Sequence, residues 1–305
     1  MGWTCVKYLY IYRDIREDID IHRKSLPSKL VQEAARASSV SAKVSIIAVT
    51  AVLYVIGKGI TAYIPTPWGV GQLLVGIFLP AFLAVVTDTL PVAIGAGIGT
   101  FAGDVLVLTP LGLTNAPLSL IAGVPSNFLA FLLFGWFVKK YRTWSGFVAA
   151  TVAFVTLGNF IAAVMVVRFA SLVFAPAAGL ANFNAVNVVL GFTVFWNMTS
   201  IPAILIAVPI LIRAVRPLFG RSQIIKYEPH WTGPTSGRQV AISLTFAAFF
   251  LVLCVVFLIG FYQPVSPLWG GLYTYVPVAS LLVLVFAPLV SVIAGAKRND
   301  KQGLA

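Results

Sequence analysis

Eight apolar stretches set what this chain can become. They lie at about 44–64, 70–87, 89–109, 118–138, 146–172, 187–212, 239–262 and 271–296. Wound as helix at about 1.5 Å per residue, each is long enough to cross roughly 30 Å of hydrocarbon. The basic residues then decide the threading. Of the 21 Lys and Arg, all but Lys58 and Arg168 fall in four places. These are the arm before the first stretch, the connection after the fourth (Lys139, Lys140, Arg142), the connection after the sixth with its edges (Arg213 to Arg238), and the tail (Lys297, Arg298, Lys301). An excess of Lys and Arg marks cytoplasmic loops, so both termini are expected in the cytoplasm, in keeping with an even helix count. The expectation is an all-α integral membrane protein, multi-pass in the cell (plasma) membrane, with eight transmembrane helices.

Hydrophobic residues at 59% and charged residues at 10% exclude an ordinary soluble domain. The net charge of +12 is dispersed over loops that share one face of a bilayer. It reads as a topology signal and a contact for anionic lipid, not as a nucleic-acid groove. The first forty residues carry both charge signs and no leading apolar core, so no cleaved signal peptide is expected. Cys5 and Cys254 lie far apart, and His22 and His230 fall in segments assigned to the cytoplasm. No disulfide framework, metal site or cofactor is expected from them. Phosphate-loop, zinc-hydrolase and nucleophile-elbow motifs are absent, as is a nucleophile–base pair at membrane depth. The chain does not read as an enzyme, and any pumping must draw energy from a partner or an ion gradient.

Five segments follow: an arm at 1–43, a six-helix core at 44–215, a cytoplasmic linker at 216–238, a helical hairpin at 239–296 and a tail at 297–305. In the arm, Tyr8, Ile11, Tyr12, Ile15 and Ile19 recur at helical spacing among charges, an amphipathic pattern suited to a membrane surface or a docking partner. Pro27 punctuates it, and Ser28 is placed to cap a second short helix through Ala37. The outer connections are neutral and rich in turn residues, as in Ile64-Pro-Thr-Pro-Trp-Gly.

Polar side chains at membrane depth are concentrated in the core. Asn127, Asn159 and Asn197 lie near the middle of the fourth, fifth and sixth stretches, with Trp196 equally deep. An amide without partners in hydrocarbon costs several kcal/mol, so these groups must face protein, water or ligand. Interhelical bonding, at about 1 kcal/mol each, would also account for them. Lys58 and Asp104 each lie about five or six residues from the outer end of their helices, roughly 8–9 Å below the boundary. Lone charges there cost about 2.5–3.5 kcal/mol even on lenient scales. Pairing across the first and third helices would relieve both, whereas snorkelling is open only to Lys58. Gly95, Gly99 and Gly103 form a smooth ridge at four-residue spacing, fit for close helix packing or for a partner.

Residues of about 42–215 resemble the substrate-binding S component of an energy-coupling factor (ECF) transporter. The resemblance rests on Ile47-Ala-Val-Thr-Ala-Val-Leu-Tyr-Val, on the Pro- and Gly-bearing outer loop leading to Ile77-Phe-Leu-Pro-Ala, on Gly95-Ala-Gly-Ile-Gly-Thr-Phe-Ala-Gly-Asp, and on Trp196-Asn-Met-Thr-Ser-Ile-Pro. It implies a six-helix bundle that captures a vitamin or related micronutrient near the outer face. It also implies association with a membrane coupling protein and two cytoplasmic ATPases. Asn127, Asn159, Trp196 and Asn197 are then the pocket candidates, with Lys58 and Asp104 shaping the outer rim. Ala48, Ala51 and the ridge Gly95, Gly99 and Gly103 are the candidate partner contacts. The arm and the C-terminal hairpin lie outside the resemblance. The rival readings are a proton- or ion-coupled transporter or channel carried by Asp104, and a membrane scaffold.

Overall fold

The computed structural model describes residues 28–66, 68–173, 185–222, 224–229 and 231. Most of the arm, the stretches at 239–262 and 271–296, the tail, both cysteines and both histidines lie outside them. The chain divides into two compact units, Met1–Ser45 and Ile46–Ala305, and the candidate site lies within the second.

The described residues form helices and no strand. Helix α1 spans Ser28–Thr61. It begins at the expected cap but does not stop near Ala37, because no Pro or Gly interrupts the run from Ser28 to Ile56. Helix α2 is Val75–Val86, a 3-10 turn followed by an α-helix. Helix α3 starts at Thr89 and ends in a π-helical segment, Asp104–Leu108. Helix α4, Ala116–Lys140, holds a second π segment at Ser119–Gly123. Helices α5, Trp144–Val173, and α6, Ala185–Val215, follow. All but α2 are long and apolar enough to cross a membrane, which makes five spans among the described residues.

The stretch at 70–87 is not one spanning helix. Its first residues belong to a folded loop, and the remaining 12 residues of α2 reach only about 18 Å. The reason is local. Gly69 and Gly71 adopt positive φ (70° and 73°), which turns the chain back on itself. Thr66 N then donates to Gly71 O at 3.1 Å and Leu73 N to Ile64 O at 2.9 Å, so the limbs pair like a small hairpin. Irregular backbone inside a bundle is tolerated only where protein or a cavity satisfies it, and here it is packed over the bundle's interior.

The register is legible from close contacts. A Cβ at Gly95 would meet Thr50 and Ile47, one at Gly99 would meet the Ala51 backbone at 2.8–2.9 Å, and one at Gly103 would meet the Lys58 stem. Helices α1 and α3 therefore run parallel with backbones nearly touching, and the glycine ridge is covered by α1. As an outward partner face, the ridge Gly95, Gly99 and Gly103 is corrected. Ala51 is half-buried against it, while Ala48 is exposed. Helices α3, α4, α5 and α6 pack successively, with α2 between α4 and α6. Phe131, Phe134, Phe147, Phe192, Phe195 and Ile201 fill the shared core. Val52, Ile56, Ile98, Leu106, Leu172 and Ile210 face outward, as lipid-facing side chains would.

The chain after α6 returns to the far end of α2. Lys226 N and Tyr227 N both donate to Val86 O, and Lys226 Nζ bonds Asp88 Oδ2 at 2.7 Å. Burial pushes the Asp88 carboxyl up, but the Lys226 hydrogen bond and charge, the Tyr227 hydroxyl and the Lys139 charge outweigh it. The group is held below the usual carboxylate range.

Two outcomes follow from this packing. Gly99→Val forces α1 and α3 apart and lowers Tm, at a cost of about 1–3 kcal/mol. Gly59→Ala, with open space around the new methyl, leaves Tm unchanged or raised. A Gly99→Val melt equal to wild type would show that the close contact is not needed. Because the folded pKa of Asp88 is depressed, its contribution is present above the unfolded value and lost as pH falls through the folded one. The Tm gap between wild type and Asp88→Asn is therefore largest at neutral pH and closes as pH falls from about 4 downward. A gap that is constant with pH would exclude an ionic contribution from Asp88.

Candidate functional site

A cavity of about 80 Å³ lies between the folded loop and α1, α3, α4, α5 and α6. Five of the six expected pocket residues line it: Lys58, Asp104, Asn127, Asn159 and Trp196. Asn197 is fully buried outside the lining and acts through its neighbour.

The charges come first, because they cost most to bury. Lys58 and Asp104 are each 6% exposed and form an ion pair, as the shared depth of the two residues predicts. Each has further partners. Lys58 Nζ reaches Thr100 O at 3.4 Å and stands 5.6 Å from the Tyr54 ring centre, while Ser119 Oγ donates to Asp104 Oδ2 at 2.6 Å. Gly103 supplies the space in which the Lys58 stem lies. The two π segments begin at the two bonded residues, Asp104 and Ser119. A π turn shifts the side-chain register by one residue, and such bulges recur at functional sites.

The amides form two sets. Asn159 Nδ2 donates to Asn197 Oδ1 at 2.8 Å, and Asn197 Nδ2 to Thr156 Oγ1 at 3.1 Å. Asn197 thus holds the orientation of Asn159 at the cavity wall. Asn127 is tied elsewhere: Tyr54 donates to its Oδ1 at 3.0 Å, and its Nδ2 donates to Gly123 O at 2.9 Å. The three amides share one region without forming a single chain of bonds.

The loop closes the site through contacts that span more than a hundred residues of sequence. Trp196 Nε1 donates to Gln72 O at 3.1 Å, and Leu74 N donates to Thr199 Oγ1 at 3.2 Å. Gly71 N donates to Leu113 O at 2.8 Å, joining this loop to the one after α3. Trp68 packs on Phe192 with ring centres 4.6 Å apart, and Phe192 on Trp196 at 4.9 Å.

Gln72 is the first of three residues at this site that reasoning from sequence does not single out. It is 1% exposed and lines the cavity. Its Nε2 donates to Lys58 O at 2.8 Å, which settles the amide's orientation, since a carbonyl cannot serve a carbonyl. Its Oε1 has no protein partner. A buried acceptor left in that way costs about 1–3 kcal/mol unless a donor from water or a solute supplies the bond. A signal existed: Gln72 is the one amide in the apolar stretch 70–87. Tyr54 and Ser119, both bonded to candidate residues, were missed because aromatic and hydroxyl side chains are common in transmembrane helices. Among the described residues no group of three His, Cys, Asp or Glu is placed to hold a metal ion. No family model matches the chain, and no curated protein or solved structure matches it.

The arrangement presents paired charges, an unsatisfied carbonyl, amides and an indole edge to one small volume. It can hold a polar solute by hydrogen bonds and stack a flat group on Trp196. The ion pair also makes a sharp test. Removing one partner leaves the other charged and buried, at a cost of about 3–5 kcal/mol, whereas removing both leaves an apolar contact. In a double-mutant cycle on thermal stability, Lys58→Met and Asp104→Leu each destabilise, and the double variant loses less than their sum. Strict additivity would mean that the two groups do not interact.

Proposed function

We propose that this chain is a solute-binding membrane subunit that captures a small polar solute in the cavity beneath the loop 62–74. In the fullest form of this reading it is an S-component-like subunit of an ECF-type importer. It takes up a vitamin or related micronutrient from the outer face and works with a coupling membrane protein and two ATPases. The observation that carries the proposal is the convergence of Lys58, Gln72, Asp104, Asn127, Asn159 and Trp196 on one cavity.

The cavity's size adds a requirement. At about 80 Å³ it is roughly half the 150 Å³ that accommodates a benzene ring. A vitamin-sized solute therefore needs the loop to withdraw from α6, breaking the Trp196–Gln72 and Leu74–Thr199 bonds and sliding Trp68 off Phe192. These are a few hydrogen bonds and ring contacts, worth about 0.5–1.5 kcal/mol each, which a bound solute can replace. Such a loop is a gate of the right strength. The outward, thinly covered side of α1, with Ala48 exposed, is the face available to a coupling protein.

One observation favours a second reading. An ion pair lining a polar cavity is also what a proton- or ion-coupled transporter would use, with Asp104 as the carrier. The two readings separate by purification in mild detergent followed by mass spectrometry of bound proteins and small molecules. The first predicts a coupling protein, two ATPases and a retained solute whose affinity drops about tenfold in Gln72→Leu and Asn159→Leu, with the partners still present. A chain that purifies alone and supports pH-dependent uptake in vesicles without ATPases would overturn the first in favour of the second.

A further inference from the structure

The end of the bundle opposite the loop carries a second cavity, of about 230 Å³, with a different chemistry. The segment after α6 is pinned at two points. Lys226 and Tyr227 are bonded to Val86 and Asp88, and Trp231 stacks on Phe147 with ring centres 4.4 Å apart. Beside these points lies a hollow whose floor is apolar (Val85, Val138, Trp231) and whose walls carry Lys139, Arg142 and Lys226 together with one carboxylate, Glu228.

The charges in this hollow are unequally satisfied. Lys226 is neutralised by Asp88, and Glu228 is engaged by Arg216 at 3.4 Å. Lys139 and Arg142 have no carboxylate partner among the described residues. Lys139 Nζ donates to two neutral oxygens, Thr87 O and Thr89 Oγ1, and lies 4.6 Å from the Tyr227 ring centre. Among the described residues Arg142 donates through Nε, to Lys139 O at 3.2 Å. An ammonium has three donors and a guanidinium five, so among the described residues most of the fork of Arg142 is unused, beside a lysine that has only a share of the Asp88 charge already paired with Lys226. A fork and a point charge together, over an apolar floor, match a phosphate group with an organic substituent.

We propose that this hollow binds a phosphate group, on an anionic phospholipid headgroup or on a soluble phosphate ester. The setting favours the lipid. Trp136 and Tyr141 are exposed beside it and Lys140 lies 4.9 Å from the Trp136 ring centre, an arrangement of aromatic and basic side chains that belongs at a membrane interface. Basic pockets at the ends of transmembrane helices take anionic headgroups. A headgroup seated here would tie Lys139 and Arg142, at the α4–α5 turn, to the segment after α6.

The test uses the full chain, purified in detergent and stripped of lipid. Phosphatidylglycerol and phosphatidylcholine are added in turn, with retention read by native mass spectrometry and stabilisation by the melt. Phosphatidylglycerol should be retained and should raise Tm, and phosphatidylcholine should do neither. Arg142→Gln, an exposed change that breaks only the bond to Lys139 O, should lower phosphatidylglycerol retention about tenfold, and Arg142→Lys should restore part of it. Lys140→Gln, outside the cavity, should leave retention unchanged. Inorganic phosphate and glycerol phosphate form the soluble arm. Displacement of the lipid by either at similar concentration assigns the site to a soluble ester, and no displacement assigns it to the lipid. Equal retention of the two lipids, with no stabilisation by any phosphate, would overturn the proposal. So would an equal loss in Lys140→Gln and Arg142→Gln.

Discussion

An ammonium and a carboxylate can share the interior of an apolar bundle only if each neutralises the other, and much of this structure is arranged so that Lys58 and Asp104 do. For the pair to form, α1 and α3 must run parallel and in one register. The glycine ridge sets that register by letting the backbones approach at Gly95 and Gly99, and Gly103 leaves room for the lysine stem. The π segment at Asp104 and the matching one at Ser119 place a hydroxyl on the free carboxylate oxygen. Separate the two helices and each charge is left alone in a region where the penalty is several kcal/mol, whereas loss of the Ser119 hydroxyl takes away a hydrogen bond and leaves the pair.

The same pair organises the polar residues around it. Lys58 O, at the end of α1, is the acceptor that orients Gln72, and Gln72 O in turn receives the Trp196 indole from α6. The loop is thus held by a relay that starts at the Lys58 main chain, while the side chain of the same residue serves the ion pair. Its irregular backbone survives because nearly every polar group finds a partner. Gln72 Oε1 is the exception, and it belongs to a residue that lines the cavity. Among the buried polar side-chain atoms of the described residues it is the one left open, which is why the proposed solute site is centred on it.

Much of this was legible in the sequence because membrane proteins declare their costs. The long apolar runs, the embedded Lys58 and Asp104 and the mid-helix Asn residues are rare enough at depth to demand partners, and the structure brings five of the six candidates to one cavity. What was hidden had ordinary residue types or depended on distant contacts. The stretch at 70–87 reads as one span because hydropathy does not see the positive φ of Gly69 and Gly71. The glycine ridge reads as a possible docking face because spacing alone does not say which helix covers it, and here α1 does. Gln72 passes unnoticed because its role appears only when α6, more than a hundred residues later, folds beside it. The expected C-terminal hairpin lies outside the described residues.

The two cavities differ in how their charges are settled, and that difference bears on how a subunit of this kind could work. Near the loop the embedded charges of Lys58 and Asp104 cancel one another, so recognition there would rest on hydrogen bonds, above all at Gln72 Oε1, and not on net charge. At the opposite end, among the described residues, Lys139, Arg142 and Lys226 face two carboxylates, Asp88 and Glu228, so positive charge is in excess there. One cavity is therefore electrically balanced and the other carries an excess of positive charge, two environments that the proposed solute site and the proposed phosphate site would use differently.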